Sequence, residues 1–301
     1  MSKEQTVRRV GAAPRAGQQI QRGLVGLATF ARRQPLGAIG LSIILVVFVG
    51  AVSANWVAPY DPNISIADDR LVGPSARHLF GTDHLGRDLF SRMLFGTRIS
   101  LVVSFFSVAV GTGGGYLLGI ISGYVGGKFD ILLQRVMDAM LALPSILLAL
   151  VMVSVLTPGI DKVIIAIAVS IVPRAARVSR GVVLSIKENI YIDAARVIGA
   201  SPVRIMARHV LPNSMAPFLV LASVGLGGAI LTEASLSYLG LGVPPPHSSW
   251  GQMMSGAAQS FATIAPWLII FPGIAIAALV LGFNLFGDAL RDVWDPKLRG
   301  R

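Results

Sequence analysis

The feature that most constrains this chain is a set of long apolar runs, separated by polar segments that hold nearly all of its charges. The run from Leu36 to Ala54 contains no charged residue. A helix needs about 20 apolar residues to cross the hydrocarbon core of a bilayer. Runs of that kind predict spans near 36–57, 99–122, 131–157, 160–178, 214–239 and 263–287. The fourth has the shortest apolar part, Val163 to Pro173, and Arg174 and Arg177 are expected near an interface. Charged residues are 14% of the chain against 53% hydrophobic. Soluble domains carry about 25% charge, so lipid is the expected solvent. The fold expected is all-α, polytopic, with six transmembrane helices.

The 301 residues carry a net charge of +11, and its distribution sets an orientation. With both termini cytoplasmic, the inside segments 1–35, 123–135, 174–213 and 288–301 hold 20 of the 26 Lys and Arg residues. The segments 58–98 and 157–162 hold the other six. Lys and Arg are retained on the cytoplasmic side, so both tails, 1–35 and 288–301, are expected inside. The same distribution, without a nucleic-acid-binding motif, argues against a nucleic-acid partner. Val52-Ser53-Ala54 has the small residues of a signal peptidase site. The apolar run before it is longer than the about 7–15 residues of a leader, and the polar stretch is long as well. A retained first span, 36–57, is the expectation.

Residues 58–98 then form a long outside loop, with Pro59-Tyr60-Asp61-Pro62 as a turn and a run from Phe80 to Asp88. Its apolar and aromatic content predicts an ordered segment. Gly111, Gly115, Gly119 and Gly123 recur every four residues and line one helix face. Such a stripe lets a second helix backbone come close, and helix packing is the reading preferred.

Catalytic patterns are missing from the sequence. Gly127-Lys128 is the nearest approach to a phosphate-binding loop. Ser122 stands at its first glycine position and Phe129 where a Ser or Thr would bind magnesium. There is no zinc-protease or nucleophile-elbow pattern. The absence of cysteine excludes disulfides, thiolate metal sites and cysteine nucleophiles. The four histidines are scattered; His78 and His84 are near enough in sequence to share a metal, but solvated or hydrogen-bonded roles are preferred. No metal, cofactor or catalytic residue is assigned. Two acids lie in or near spans. Asp138 is three residues after Arg135, at helical pairing distance. Glu233 is a pathway candidate because intramembrane acids are commonly functional. A structural role, bonded to backbone or hydroxyl groups, is preferred for it.

The polar segment 179–213 is the most informative. It reads Asp193-Ala194-Ala195-Arg196-Val197-Ile198-Gly199-Ala200-Ser201-Pro202, then Arg204, then His209-Val210-Leu211-Pro212-Asn213. Helical spacing puts Ala195 and Gly199 on one face, open to close approach by another protein. Ser201-Pro202 marks a helix boundary. The Ala-Ala-x3-Gly pattern with Leu211-Pro212 at this spacing resembles the "EAA" signature of permease subunits of binding-protein-dependent ABC importers. Asp193 replaces the usual Glu, and His209-Val210 departs from the usual pair. The run from Ser235 to Pro246, Ser249-Trp250-Gly251, and Phe283-Asn284-Leu285-Phe286-Gly287-Asp288 through Asp295-Pro296 resemble the C-type permease of dipeptide, oligopeptide and nickel importers. So do Pro59–Pro62 and Phe80–Asp88. The likeness covers about residues 36–298.

That resemblance implies a type I importer fold with a permease core over 99–287. It implies a B-type permease as heterodimer partner and two ATPase subunits, separate or fused, which hold the ATP and Mg2+. It also implies an extracytoplasmic solute-binding protein, and a place in a prokaryotic cytoplasmic membrane. The segment 179–213 would couple to the ATPases through the residues just named. Bulky substitutions at Ala195 or Gly199 are expected to uncouple hydrolysis from uptake. The cargo expected is a peptide, with nickel or another small solute as alternative. A secondary transporter would need ion-coupling residues within the spans, where Glu233 alone is thin support.

Overall fold

The computed structural model describes residues 31–294. The expectation for the tail 1–35 falls largely, and the resemblance at Asp295-Pro296 wholly, outside those residues, while the first half of the expected tail 288–301 continues the last helix to Trp294. Twelve α-helices follow one another among them. The long ones are α1 (Pro35–Val57), α2 (Leu89–Val125), α3 (Gly127–Leu141), α4 (Ser145–Val155), α5 (Ile160–Lys187), α9 (Met215–Tyr238) and α12 (Trp267–Trp294). Short helices α6 (Ile190–Val197), α7 (Pro202–Ile205) and α8 (Leu211–Asn213) lie between α5 and α9. Two more, α10 (Trp250–Met253) and α11 (Ala257–Ser260), lie between α9 and α12.

Four helices, α1, α2, α9 and α12, are each long and apolar enough to cross a membrane. The expected third span, 131–157, is not one straight helix. α3 and α4 meet at a 92° bend, and together they are at most a fifth, broken crossing. Pro144 explains the break. It disfavours helical geometry at Leu143 and cannot donate to the preceding turn. The expected fourth segment, 160–178, belongs to α5, which runs 28 residues to Lys187. Its arginines keep it outside the apolar set, because one face is polar.

Each boundary has a local cause. Pro35 begins α1 where its missing N–H costs nothing. Asp88 caps α2 by accepting from the Ser91 N–H at 2.8 Å. Gly126, at φ +70°, ends α2 and turns the chain into α3.

The glycine stripe is the contact between α2 and α5. A Cβ at Gly111 would stand 2.5 Å from the Ala168 carbonyl oxygen, and one at Gly119 would collide with the Ala176 carbonyl. Two backbones touch there, as small-residue packing allows. α1 packs on α12 in the same manner, at Gly40 and Gly282. Arg98 of α2 then fastens the end of α1. Its Nε donates to the Ala51 carbonyl at 2.6 Å, Nη2 to the Val52 carbonyl at 3.1 Å and Nη1 to Asn55 Oδ1 at 3.0 Å. These carbonyls are in the last turns of α1, where a cation is favoured.

Three apolar clusters stack along the bundle. At the end where α2 begins, Leu89, Ile230, Trp250, Leu268 and Phe283 pack together. Val103, Val153, Ile167 and Leu236 belong to the middle one. At the other end Tyr116, Ile120, Val183, Ile192, Ile205 and Val210 form the third, which carries α6 and α7. The segment 58–88 is folded onto the first end. Thr82 N–H donates to the Val72 carbonyl at 2.9 Å, and Trp267 Nε1 donates to the Thr82 carbonyl at 3.1 Å. Phe80 stacks on Phe271 with ring centroids 4.2 Å apart.

Candidate functional site

The segment 188–214 has a buried inner face and an apolar outer face. Glu188 and Asn189 end α5, and α6 follows. Ile192 and Ala195 of α6 point inward, where Ala195 is 5% exposed against Val183, Ile186, Ile205 and Val210. Gly199 lies beyond the end of α6, at φ +80°. The Ala200 N–H bonds the Ala195 carbonyl at 3.0 Å and the Gly199 N–H bonds the Arg196 carbonyl at 2.9 Å. These two bonds are the glycine-closed helix terminus in which a left-handed residue satisfies the last carbonyls.

Ala195 and Gly199 therefore do not share a helical face. Helix periodicity stops applying at Ile198, the cap. One residue is small because it is buried, the other is glycine because of its backbone. Nothing lies within 4 Å of a Cβ placed at Gly199.

Ser201 begins the next helix. Its hydroxyl accepts from the Arg204 N–H at 3.4 Å, and Pro202 follows at the first helical position. Met206–Val210 is a single π-helical turn, closed by the Leu211 N–H on the Met206 carbonyl. Such turns cost regular hydrogen-bond geometry and recur at functional sites. His209 is half-buried beside Tyr191, with ring centroids 6.1 Å apart. Asp193 pairs with Arg196 at 2.7 Å on the exposed side. Ala194, Arg204 and Pro212 are exposed, and Leu211 is half-buried against the cluster beneath.

The outer face contains residues that the pattern alone did not single out. Ile190 is 86% exposed, Val197 86%, Ile198 83% and Val203 71%. Single exposed apolar residues are ordinary, but a group of four on a short polar loop marks an interaction surface. The signal was present in the sequence. α6 carries more branched apolar residues than its one inward face can bury.

The stem of this loop is held by charge. Arg180 of α5 grips Asp130 of α3 with Nε at 2.8 Å and Nη2 at 2.7 Å. Lys187 Nζ donates to the Tyr124 carbonyl at 2.9 Å and the Gly123 carbonyl at 3.2 Å, at the end of α2. Asp138 pairs with Arg177 of α5 rather than with Arg135 of its own helix. α3 lies alongside α5, as the Asp130–Arg180 pair also shows, so the partner comes from across the interface. Tyr116 hydroxyl donates to the Ser214 carbonyl at 2.7 Å and ties α2 to the start of α9.

Glu233 is fully buried in α9. Its Oε2 accepts from Ser100 Oγ at 2.9 Å and Oε1 from Ser237 Oγ at 2.8 Å. Both oxygens accept from hydroxyls, Ser237 within α9 and Ser100 across on α2, which fits a bracing acid. Elsewhere, His78 lies between two acids, with Nδ1 2.9 Å from Asp88 Oδ1 and Nε2 3.4 Å from Asp69 Oδ2. His84 sits apart, stacked toward Phe261. Among the described residues no group of three or more His, Asp and Glu is arranged to hold a metal ion.

An all-helical bundle with several helices long and apolar enough to cross a bilayer is the form of a multi-pass membrane protein. Residues 115–300 match the family described as binding-protein-dependent transport system inner membrane component. The chain belongs to that family. It is a multi-pass inner-membrane permease component, and the family fold is the type I ABC permease. The chain is 44% identical to the dipeptide transport system permease protein of Alkalihalophilus pseudofirmus, over 89% of this chain and 88% of the relative. It is equally similar, at 44%, to a putative peptide transport system permease protein of Brucella suis, over 87% and 88%. The glutathione transport system permease protein of Pectobacterium atrosepticum is also 44% identical, over 90% and 89%.

Proposed function

We propose that this chain is one of two pore-forming subunits of an ATP-driven importer for short peptides. In this reading it pairs with a B-type permease and receives cargo from an extracytoplasmic binding protein. Hydrolysis of Mg-ATP occurs in two separate ATPase subunits. Both termini and the 179–213 segment lie on the cytoplasmic side, with 58–98 and 240–262 outside. α5 and the bent α3–α4 pair complete a six-crossing topology in the assembled transporter. Peptide cargo is favoured over nickel by the names of the three relatives, which denote peptide, dipeptide and glutathione transport.

The observation that carries the docking role is the exposed apolar face of the loop, Ile190, Val197, Ile198 and Val203. It sits on a segment whose stem, α5, is held to α3 by ion pairs and to α2 through Lys187, and whose far end is tied to α2 through Tyr116. Asp193, Arg204 and His209 supply a polar margin around it, and Ala194, Ala200, Ser201, Leu211 and Pro212 shape the turn that presents it. A groove on each ATPase would receive this face. Closure of the ATPases around ATP then pulls α6 and α7, and through them the ends of α2 and α5. Glu233 serves as a structural brace and not as a proton carrier.

The test is reconstitution with the partner permease, the ATPases and the binding protein in proteoliposomes. Uptake of a labelled dipeptide is expected to require ATP, all partners and the binding protein, and excess nickel is expected not to compete. Uptake driven by an ion gradient without the ATPases would overturn the reading.

A further inference from the structure

A cavity of about 550 Å3 opens at the end of the bundle opposite the docking loop. It lies between the 58–88 segment, the start of α2, the Pro245–His247 stretch and helix α10. Small-molecule sites fall between about 300 and 1,000 Å3, so its size suits a small ligand. Its walls are of two kinds. Leu89, Met253, Ala258 and Leu268 form an apolar side continuous with the nearest core cluster. Arg87, Arg92, His84, His247 and Gln252 form a polar side.

The charges on the polar side do not cancel. Asp83 is the one carboxylate lining the cavity. Its oxygens are committed to its own turn. Oδ1 accepts from the Leu85 N–H at 2.8 Å and the Arg87 N–H at 3.0 Å, and Oδ2 accepts from Arg87 Nε at 2.7 Å. Arg92 stands 3.7 Å from the same Oδ2, beyond hydrogen-bond distance. The Arg92 side chain is 5% exposed, and Nη1 donates to the Pro62 carbonyl at 3.0 Å. A guanidinium has five N–H donors in a planar fork. Arg92 lines the cavity and shares the single Asp83 carboxylate with Arg87, so two guanidinium groups face one carboxylate, and the positive charge left over calls for an anion. The fork matches a carboxylate in a two-point contact.

We propose that this cavity binds the terminal carboxylate of a short peptide, with Arg92 as the anchoring group and the apolar wall holding a side chain. The site lies on the face where the binding protein would release cargo, so the proposal rests on the peptide-importer reading and on its orientation. Its place is upstream of the pore. It holds a peptide by its C-terminus after release and before passage between the permeases. Arg87 adds positive charge at the rim, and Gln252 stands at the edge of the cavity, where it makes no side-chain hydrogen bond.

The experiment uses the complete transporter in lipid nanodiscs, without binding protein and without ATP. Binding of labelled Ala-Ala-Ala is measured by equilibrium dialysis, beside its C-terminal amide, with sodium acetate as competitor. The acid is expected to bind saturably at one site, the amide about tenfold more weakly, and acetate to compete. Arg92→Gln is expected to abolish binding. Because Arg92 also holds Pro62, Gln252→Trp, which fills the cavity from its edge, is the second variant, and it too is expected to lose the peptide. Equal binding of acid and amide, no saturable binding of the acid, or undiminished binding by Gln252→Trp would each overturn the proposal. ATP-driven uptake is assayed in parallel with the binding protein restored. Intact uptake beside absent tripeptide binding removes the cavity site alone, whereas absent uptake removes the importer reading.

Discussion

Replacing Ile198 with aspartate separates the fold of the loop from its use. Ile198 is 83% exposed and caps α6, so the folded chain alone loses little when it changes. Surface substitutions of that kind stay within about 0.5 kcal/mol. If Ile198 enters a groove on an ATPase, burial of its side chain contributes about 1.5–3 kcal/mol, and a buried carboxylate adds a further cost. A loss of about 2–3 kcal/mol weakens association about 30- to 150-fold. The assay is the Kd of the purified ATPase for nanodiscs carrying the permease pair, together with the Tm of the pair itself. Kd is expected to rise by that factor at unchanged Tm, with ATP-driven uptake lost. Ala195→Leu is the contrasting variant. Ala195 faces the inner cluster, so overpacking by about 1–3 kcal/mol lowers Tm directly. Wild-type ATPase affinity and uptake in the Ile198→Asp transporter would refute the docking assignment.

Three further outcomes follow from the bundle. Gly119→Leu drives a side chain into the Ala176 carbonyl and the Ser179 hydroxyl. It is expected to lower Tm in detergent by an overpacking cost of about 1–3 kcal/mol or more, while Gly113→Leu, with nothing within 4 Å, is expected to leave Tm unchanged. Asp130→Asn removes the carboxylate that Arg180 grips. Arg180 is partly exposed and water screens the loss, so a cost of about 1 kcal/mol is expected, read as a small fall in Tm that high salt reduces. Burial pulls the His84 imidazole below its ordinary pKa, against an opposing pull from Asp83. The unfolded chain therefore protonates first as pH falls. The contribution of His84 to stability is whole above about pH 6.5 and is lost as pH drops through the folded value. His84→Gln is expected to flatten the fall in Tm between about pH 7 and pH 5, and an unchanged slope would refute the burial argument.

How much of this was legible in the sequence depended on the physics behind each residue. The runs that became α1, α9 and α12 were plain because lipid exposure demands continuous apolar side chains whatever the partner. The glycine stripe was equally plain, since a four-residue repeat of the smallest residue has few other uses. The bend at Pro144 was hidden from hydropathy, which sums apolar residues across a break and says nothing of backbone direction. Asp138 found Arg177 and not Arg135 because the tertiary fold decides which helix lies opposite, and spacing along one helix does not report that. In the loop, Asp193 to Gly199 could be located by pattern, but its facing could not. Gly199 left the helix, so helical arithmetic put it on the wrong side. Arg92 was one of several arginines in the sequence. Its place on the cavity wall, sharing Asp83 with Arg87, comes from how the 58–88 segment folds back on α2, which no spacing rule conveys.

The backbone contact between α2 and α5 has a mechanical consequence. α2 is 37 residues long, and at 1.5 Å per residue it spans about 55 Å. From Gly111 to Gly123 its backbone lies against α5, so over those turns the two helices have to move together, and a push on one is passed to the other. A tilt of α2 by about 10° around its midpoint carries each tip through about 5 Å. One tip is held through Lys187 next to the loop at Ile190–Pro212, and the other begins at Leu89, beside Arg92. A displacement imposed at the loop end would therefore arrive at the arginine cavity as a shift large enough to break a two-point carboxylate contact.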